Sequence, residues 1–149
     1  ELVGVLQRIT SLEQAAFSES TIELRSQVEQ LRVDCDEDLL RQVLLNLVKN
    51  AVEASGASEA KVRIQLRTQV NNYSVEVHDE GPGISDDLKA GIFEAYFTTK
   101  HSGPAPGMGL GLAICQKIIL DHNGRIELDS QPGHTVFALI LPYRIAEAE

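Results

Sequence analysis

The chain has 149 residues, a hydrophobic fraction of 43% and a formal net charge of −9, which fits one globular domain long enough to bury a core. That acidity argues against a general nucleic-acid or acidic-membrane surface, while leaving room for a local basic pocket. No run approaches ~18 apolar residues and no signal peptide is visible. The two cysteines, Cys35 and Cys115, stand too far apart in sequence for a disulfide framework or a metal spacing, so a soluble domain in the reducing cytoplasm is expected. A chain that begins at Glu1 reads as a piece excised from a longer protein.

Residues Glu1–Phe17 carry Leu2, Val5, Leu6, Ile9 and Leu12 at helical spacing. Ser18–Thr21 interrupts that pattern, and Ile22, Leu24 and Val28 predict a strand, with a short echo at Leu31 and Val33. Asp36 is a good N-cap, and Glu37 and Asp38 follow where the helix dipole favours acids. Leu40, Val43, Leu44, Leu47, Ala51 and Ala54 then recur on one helical face, and Gly56 ends the helix. Val62, Ile64, Leu66 and Val70 alternate with Lys61, Arg63, Gln65, Arg67 and Gln69, predicting a strand with one buried and one solvated face. Asn71-Asn72 makes the turn, and Tyr73, Val75 and Val77 return on a second strand.

A glycine turn, a short helical piece through Leu88–Phe93 and a Gly/Pro-rich loop follow, before an apolar helix over Leu110–Leu120 in which Cys115 packs as a buried thiol. Asn123-Gly124 is a helix stop. Ile126 and Leu128 predict a strand, Gln131-Pro132-Gly133-His134 a turn, and Thr135–Leu141 an apolar last strand. Long helices, a sheet with one polar face and no strand–helix alternation point to an α+β fold, a two-layer sandwich with a mixed, mostly antiparallel sheet. A Rossmann arrangement fails because a Pro/Gly loop, not a strand, precedes Gly107. A P-loop fails because no Gly-Lys-Ser/Thr closes the motif.

Four stretches carry chemistry. Asp79 shares parity with Val75 and Val77, so it points into the helix-facing layer, whereas His78 shares parity with Glu76 and is expected to face water. An inward carboxylate must find donors; a purine exocyclic amine is one, and the backbone of the Gly81-Pro82-Gly83 turn is another. Asn46 and Asn50 lie at i and i+4 on one flank of their helix, either as solvated polar residues or as neutral oxygen ligands that share Mg²⁺ with phosphate. In Phe93–Lys100 the aromatics suit the core or a wall beside a base, and Thr98, Thr99 and Lys100 suit a phosphate tail. Gly107, Gly109 and Gly111 open a helix whose N-terminus attracts anions.

In order and spacing these stretches resemble the GHKL (Bergerat-fold) nucleotide-binding family. Leu44–Ala51 is similar to its N box, Asp79–Ile84 to its first glycine box, Phe93–Lys100 to its F box and Gly107–Leu112 to its second glycine box. The pattern most resembles the catalytic domain of bacterial sensor histidine kinases, and Phe-Thr-Thr-Lys resembles the nitrogen-regulation type. The resemblance implies a sheet covered on one face by helices, with a mobile ATP lid over Thr98–Gly107. It implies ATP and Mg²⁺ as ligands. Asp79 would read the adenine amine, with Gly81, Gly83 and Ile84 around the base and Phe97 beside it. Asn50 would hold Mg²⁺ with Asn46 nearby, while Thr98, Thr99 and Lys100, and Gly107, Met108, Gly109, Leu110, Gly111 and Leu112, would meet the phosphates. Many sensor kinases carry lysine where this chain has Glu53, which leaves the phosphate charge to Lys49 or Lys100. Glu80 stands where asparagine is frequent in the family and is expected to face solvent.

Family members that hydrolyse ATP place a glutamate at the position of Asn46, and an amide is no general base. Phosphoryl transfer to a protein nucleophile is therefore expected, with Asn46, Asn50 and Lys100 as the catalytic set. The histidines His78, His101, His122 and His134 read as loop or surface residues, none in a phosphoacceptor helix. The implied partners are a dimerisation domain bearing the acceptor histidine and a response-regulator receiver domain, with no nucleic acid and no membrane contact. Residues 1–18 would be the connecting helix from an upstream domain and residues 19–149 the catalytic domain. An anti-sigma-factor type serine kinase and a nucleotide-gated interaction module are the alternatives.

Overall fold

A computed structural model describes residues 1–17, 20–54, 61–80, 106–131 and 133–143, with backbone alone at 54, 106–112, 130 and 131. The short helical piece at Leu88–Phe93, the F box, most of the ATP lid and Gly56 lie outside the described residues. In chain order the elements are α1 (Leu2–Ala16), β1 (Thr21–Ser26), α2 (Glu37–Ala54), β2 (Lys61–Thr68), β3 (Asn72–Asp79), α3 (Pro106–Asp121), β4 (Arg125–Gln131) and β5 (His134–Pro142). The Leu31–Val33 echo forms no strand.

The strands form one sheet in the order β1-β2-β3-β5-β4. β1 and β2 are parallel and the other neighbours antiparallel. The parallel pair needs a crossover, and α2 supplies it, so the chain does contain one strand–helix–strand unit that its hydrophobic pattern did not announce. Register aligns the apolar residues into rows across the sheet: Leu24, Ile64, Val77, Phe137 and Leu128 form one, and Leu66, Val75, Leu139 and Ile126 another. This face meets the three helices in a single apolar cluster. Leu44, Leu47, Ile64, Leu66 and Leu139 are fully buried, each worth about 1.5–3 kcal/mol relative to exposure.

α1 starts on Glu1, whose carboxylate accepts from Gly4 N at 2.7 Å and Val3 N at 3.1 Å, and from Leu31 N at 2.7 Å. These bonds, the one from Leu31 foremost, hold its carboxyl below the ordinary glutamate range. Leu2, Val3, Val5, Leu6 and Ile9 are buried, but Leu12, expected on the same stripe, is 56% exposed. Glu13, one position further round, takes the buried place, and burial pushes its carboxyl up. The apolar face of α1 is thus part of this domain's own core.

The β2–β3 hairpin closes through Gln69 N to Asn72 O at 2.8 Å. Its turn falls on Val70-Asn71, one residue earlier than Asn71-Asn72. Val70 is 92% exposed and leaves the alternation, because Asn72 pairs already as the first residue of β3. At the end of α3, Asn123 takes the left-handed conformation, φ 62°. Gly124 donates to Ile119 O at 2.9 Å, and a Cβ on it would stand 2.4 Å from Ile140 O. The stop signal is therefore divided: Asn123 makes the reversal and Gly124 allows β5 to approach. Among the described residues no helix is long and apolar enough to cross a membrane.

Candidate functional site

β2 starts and β3 ends at the same end of the sandwich. Val62 pairs with Asp79, and Asp79 with Thr135 of β5. Asp79 is 4% exposed and shares the helix-facing side with Tyr73, Val75 and Val77, as its parity predicts. Thr135, also buried, stands beside it on that face. Thr135 shares parity with Phe137, Leu139 and Leu141, so its hydroxyl stands in a series of otherwise apolar inward side chains.

α2 is set by its N-cap: Leu39 N donates to Asp36 Oδ1 at 3.1 Å, an arrangement worth about 0.5–2 kcal/mol. Leu40, Val43, Leu44, Leu47, Val48 and Ala51 form its buried stripe. Asn46 and Asn50 are half-buried on the flank, whereas Lys49 is exposed. Asn46 Nδ2 donates to Gln42 O at 3.1 Å. Its amide also bonds Cys115 of α3, a minor effect on a thiol that burial pushes up to about 12. Cys115 is the packed, protonated thiol its helical context suggests.

Two bonds fix how α2 and α3 lie together. Asp36 N donates to His122 Nε2 at 3.1 Å, and Cys115 Sγ reaches Val43 O at 3.8 Å. Asp36 to Val43 is seven residues forward, and His122 to Cys115 is seven residues back, so the helices run antiparallel. Another seven residues at ~1.5 Å each brings Asn50 level with Met108, beside the first turns of α3. Those turns begin at Pro106, earlier than the apolar run at Leu110. Proline suits the first helical position because it lacks the N–H that would go unpaired there. The unspent first-turn amides are accordingly those of Gly107 and Met108, while Gly109, Leu110, Gly111 and Leu112 follow inside the helix.

α2 crosses between the parallel strands β1 and β2, so its C-terminal part with Asn50 lies at the end where β2 starts and β3 finishes. This puts Asn50 and the glycine-rich start of α3 at the same end as Asp79 and Thr135. Gly81, Gly83, Ile84, Phe97, Thr98, Thr99 and Lys100 lie outside the described residues.

Two histidines depart from expectation. His78 does not face water; it is 9% exposed. The outer sheet face covers it with its own side chains: Nε2 lies 2.8 Å from Glu76 Oε1, and Nδ1 lies 3.2 Å from Arg63 Nη2 and 3.0 Å from His134 Nε2. Burial, with Arg63 and His134 nearby, pushes the His78 imidazole below the ordinary histidine range against the pull of Glu76. His122 is buried too, its Nδ1 on Ile118 O at 2.8 Å and its Nε2 on Asp36 N. His134 is exposed as expected, and His101 lies outside the described residues.

Residues 35–145 match the family of histidine kinase-, DNA gyrase B- and HSP90-like ATPases. The chain belongs to this family. As a domain of these ATPases it binds nucleotide. The catalytic domain of histidine kinase ThkA superposes with a TM-score of 0.84 and 34% identity, over 96% of this chain and 93% of that one. In a second structure ThkA is in complex with the response regulator protein TrrA; there the TM-score is 0.78 at 32% identity, over 96% of this chain and 40% of that one. The sensory histidine kinase/phosphatase NtrB of Azospirillum brasilense is 40% identical over 121 residues, which is 72% of this chain and 29% of that protein. The chain is thus the catalytic ATPase domain of the sensor-histidine-kinase branch, and it spans under a third of the length of that curated relative.

Proposed function

We propose that this domain binds ATP with Mg²⁺ and delivers the γ-phosphoryl group to a histidine on a separate dimerisation domain. The observation that carries the proposal is the placement of Asp79, buried on the helix-facing side at the end of the sandwich that Asn50 and the start of α3 share. A buried carboxylate there accepts the adenine amine, with Thr135 beside it as a second polar group. Asn50 offers a neutral amide oxygen, half-buried and one turn beyond the seam where Asn46 is held. One such oxygen suits a cation that takes its other ligands from phosphates and water. When bound, Mg²⁺ supplies charge neutralisation across the phosphates. The free N–H groups of Gly107 and Met108 donate to phosphate oxygens without a proton transfer. Thr98, Thr99 and Lys100 complete the phosphate end.

Asn46 provides no general base, so nothing at that position activates water, and the nucleophile comes from the acceptor domain. Its imidazole nitrogen bonds to the γ-phosphorus as the bond to the β–γ bridging oxygen breaks, and ADP leaves. The work of this domain is positioning and charge stabilisation. A response-regulator receiver takes the phosphoryl group next, a role the ThkA–TrrA complex supports by likeness. A cytoplasmic setting suits ATP and the unpaired Cys35 and Cys115.

The test is to incubate the full-length protein with γ-labelled ATP. Acid-labile, base-stable label is expected. Acid-stable label points to a hydroxyl acceptor, and absence of label to a non-transferring module; either ends the histidine-kinase assignment.

A further inference from the structure

On the sheet face opposite the helices, beside the nucleotide end, β1, β2, β3 and β5 enclose a cavity of about 270 Å³. Lys61, Arg63, His78, Glu80 and His134 line it, with the Glu23–Arg25 pair at β1. It is smaller than the roughly 300–1,000 Å³ of sites for drug-sized ligands, so its occupant is small.

Its hydrogen bonds do not balance. His78 Nε2 is 2.8 Å from Glu76 Oε1; a carboxylate only accepts, so the ring proton is on Nε2 and Nδ1 keeps its single lone pair. Arg63 Nη2, a fixed donor, lies 3.2 Å from that lone pair, and His134 Nε2, a donor in the tautomer that carries its proton there, lies 3.0 Å from it. Arg63 Nε is buried and meets no acceptor at all. Donors therefore outnumber acceptors, and the two deficient atoms of Arg63 are the Nε and Nη2 edge that grips a carboxylate with two parallel bonds.

Charge agrees. Arg25, Lys61 and Arg63 line the cavity with Glu23, Asp79 and Glu80, three charges of each sign, so a surplus of one positive charge is left on the outer side, which the Asp79 carboxylate does not face. The surplus suits a singly charged acceptor better than a doubly charged phosphate.

We propose that this outer-face cavity binds a small monocarboxylate, held by Arg63 and His134. The ligand sits behind β3, across the strand from Asp79, and is separate from the nucleotide. Its carboxylate takes the Arg63 Nε and Nη2 donors after a small swing of the side chain, and His134 Nε2–H completes the set, leaving His78 Nδ1 with one donor or none.

Acetate is the probe, titrated into the 149-residue chain at constant ionic strength, with side-chain ¹H–¹⁵N resonances of arginine Nε and histidine as the readout. A saturable shift of the Arg63 and His134 signals in the millimolar range is expected. Arg63→Gln should remove saturation, and His134→Phe, at an exposed position that leaves the core untouched, should weaken it about tenfold or more. Nucleotide affinity of both variants should stay within about twofold of the parent. A linear, unsaturable response, an equal response in Arg63→Gln, or an equal response to inorganic phosphate or chloride would overturn the assignment.

Discussion

His122 Nε2 accepts the backbone N–H of Asp36 at 3.1 Å, which ties the far end of α3 to the N-cap of α2. The same ring donates from Nδ1 to Ile118 O at 2.8 Å, so Nε2 carries the lone pair the Asp36 amide needs. With Cys115 against Val43 this bond sets the register that brings Asn50 level with Met108. The geometry of the nucleotide end is in this sense fixed from the opposite end of the helix pair.

His122→Phe would take its partner from the Asp36 N–H, a part-buried bond, at a cost of about 0.5–1.5 kcal/mol. For a domain of this size that is a fall in Tm of roughly 2–4 °C per kcal/mol. His122→Gln keeps an acceptor near the Nε2 position and should lose less. Thermal unfolding followed by circular dichroism ranks the three proteins; a glutamine variant no better than phenylalanine would mean that ring packing, not the bond to Asp36, is what matters.

Asp79→Asn keeps the shape of the side chain and removes its charge. If the carboxylate accepts the adenine amine, a hydrogen bond to a charged group is lost, about 1.5–3 kcal/mol, or roughly 10- to 100-fold in ATP affinity. Calorimetric titration of ATP reads the effect, and far-ultraviolet circular dichroism checks that the sheet survives. An affinity unchanged from the parent would remove Asp79 from the base pocket.

Much of this was legible because hydrophobic periods are local. The parity of Val75 and Val77 placed Asp79 inward, and the stripe from Leu40 to Ala51 placed α2. What was not legible depended on partners distant in sequence. The parity that put Asp79 inside put His78 on the solvated face, but Arg63, Glu76 and His134 from three strands close over it there. Leu12 fits a helical period from Leu2, yet the core ends before it, so Glu13 and not Leu12 meets the protein. The parallel β1–β2 pair is hidden for a related reason: β1 is an edge strand with an uneven burial pattern, and nothing in Thr21–Ser26 states its direction.

Acid should destabilise the domain through His78. Its folded pKa lies below the ordinary 6.5, chiefly through burial, so above pH 6.5 the ring is neutral in both states. As pH falls through 6.5 the unfolded chain takes up a proton that the folded chain refuses, and stability drops until the folded pKa is also passed. Glu76 adds a second loss at lower pH: burial pushes its carboxyl up, but hydrogen bonds from His78 and Arg67 outweigh it and leave it below 4.5. Urea unfolding at about pH 7.5 and about pH 5.5 should show a larger loss in the parent than in His78→Gln. Equal losses would mean that the other histidines carry the pH dependence.

Asn50→Ala tests the metal end. The amide oxygen is neutral and single, so it adds to Mg²⁺ binding only where phosphates supply further ligands. Removing it should weaken ATP affinity in the presence of Mg²⁺ by about tenfold, some 1.4 kcal/mol, and leave the affinity measured in a chelator close to that of the parent. Asn50 is half-buried on the flank of α2 and outside the apolar stripe, so alanine, a better helix former, should not cost the fold. Equal weakening with and without Mg²⁺ would assign Asn50 to the nucleotide or to the α2–α3 seam. Weakening confined to the Mg²⁺ arm keeps it as the ligand that sets the cation at the level of Met108.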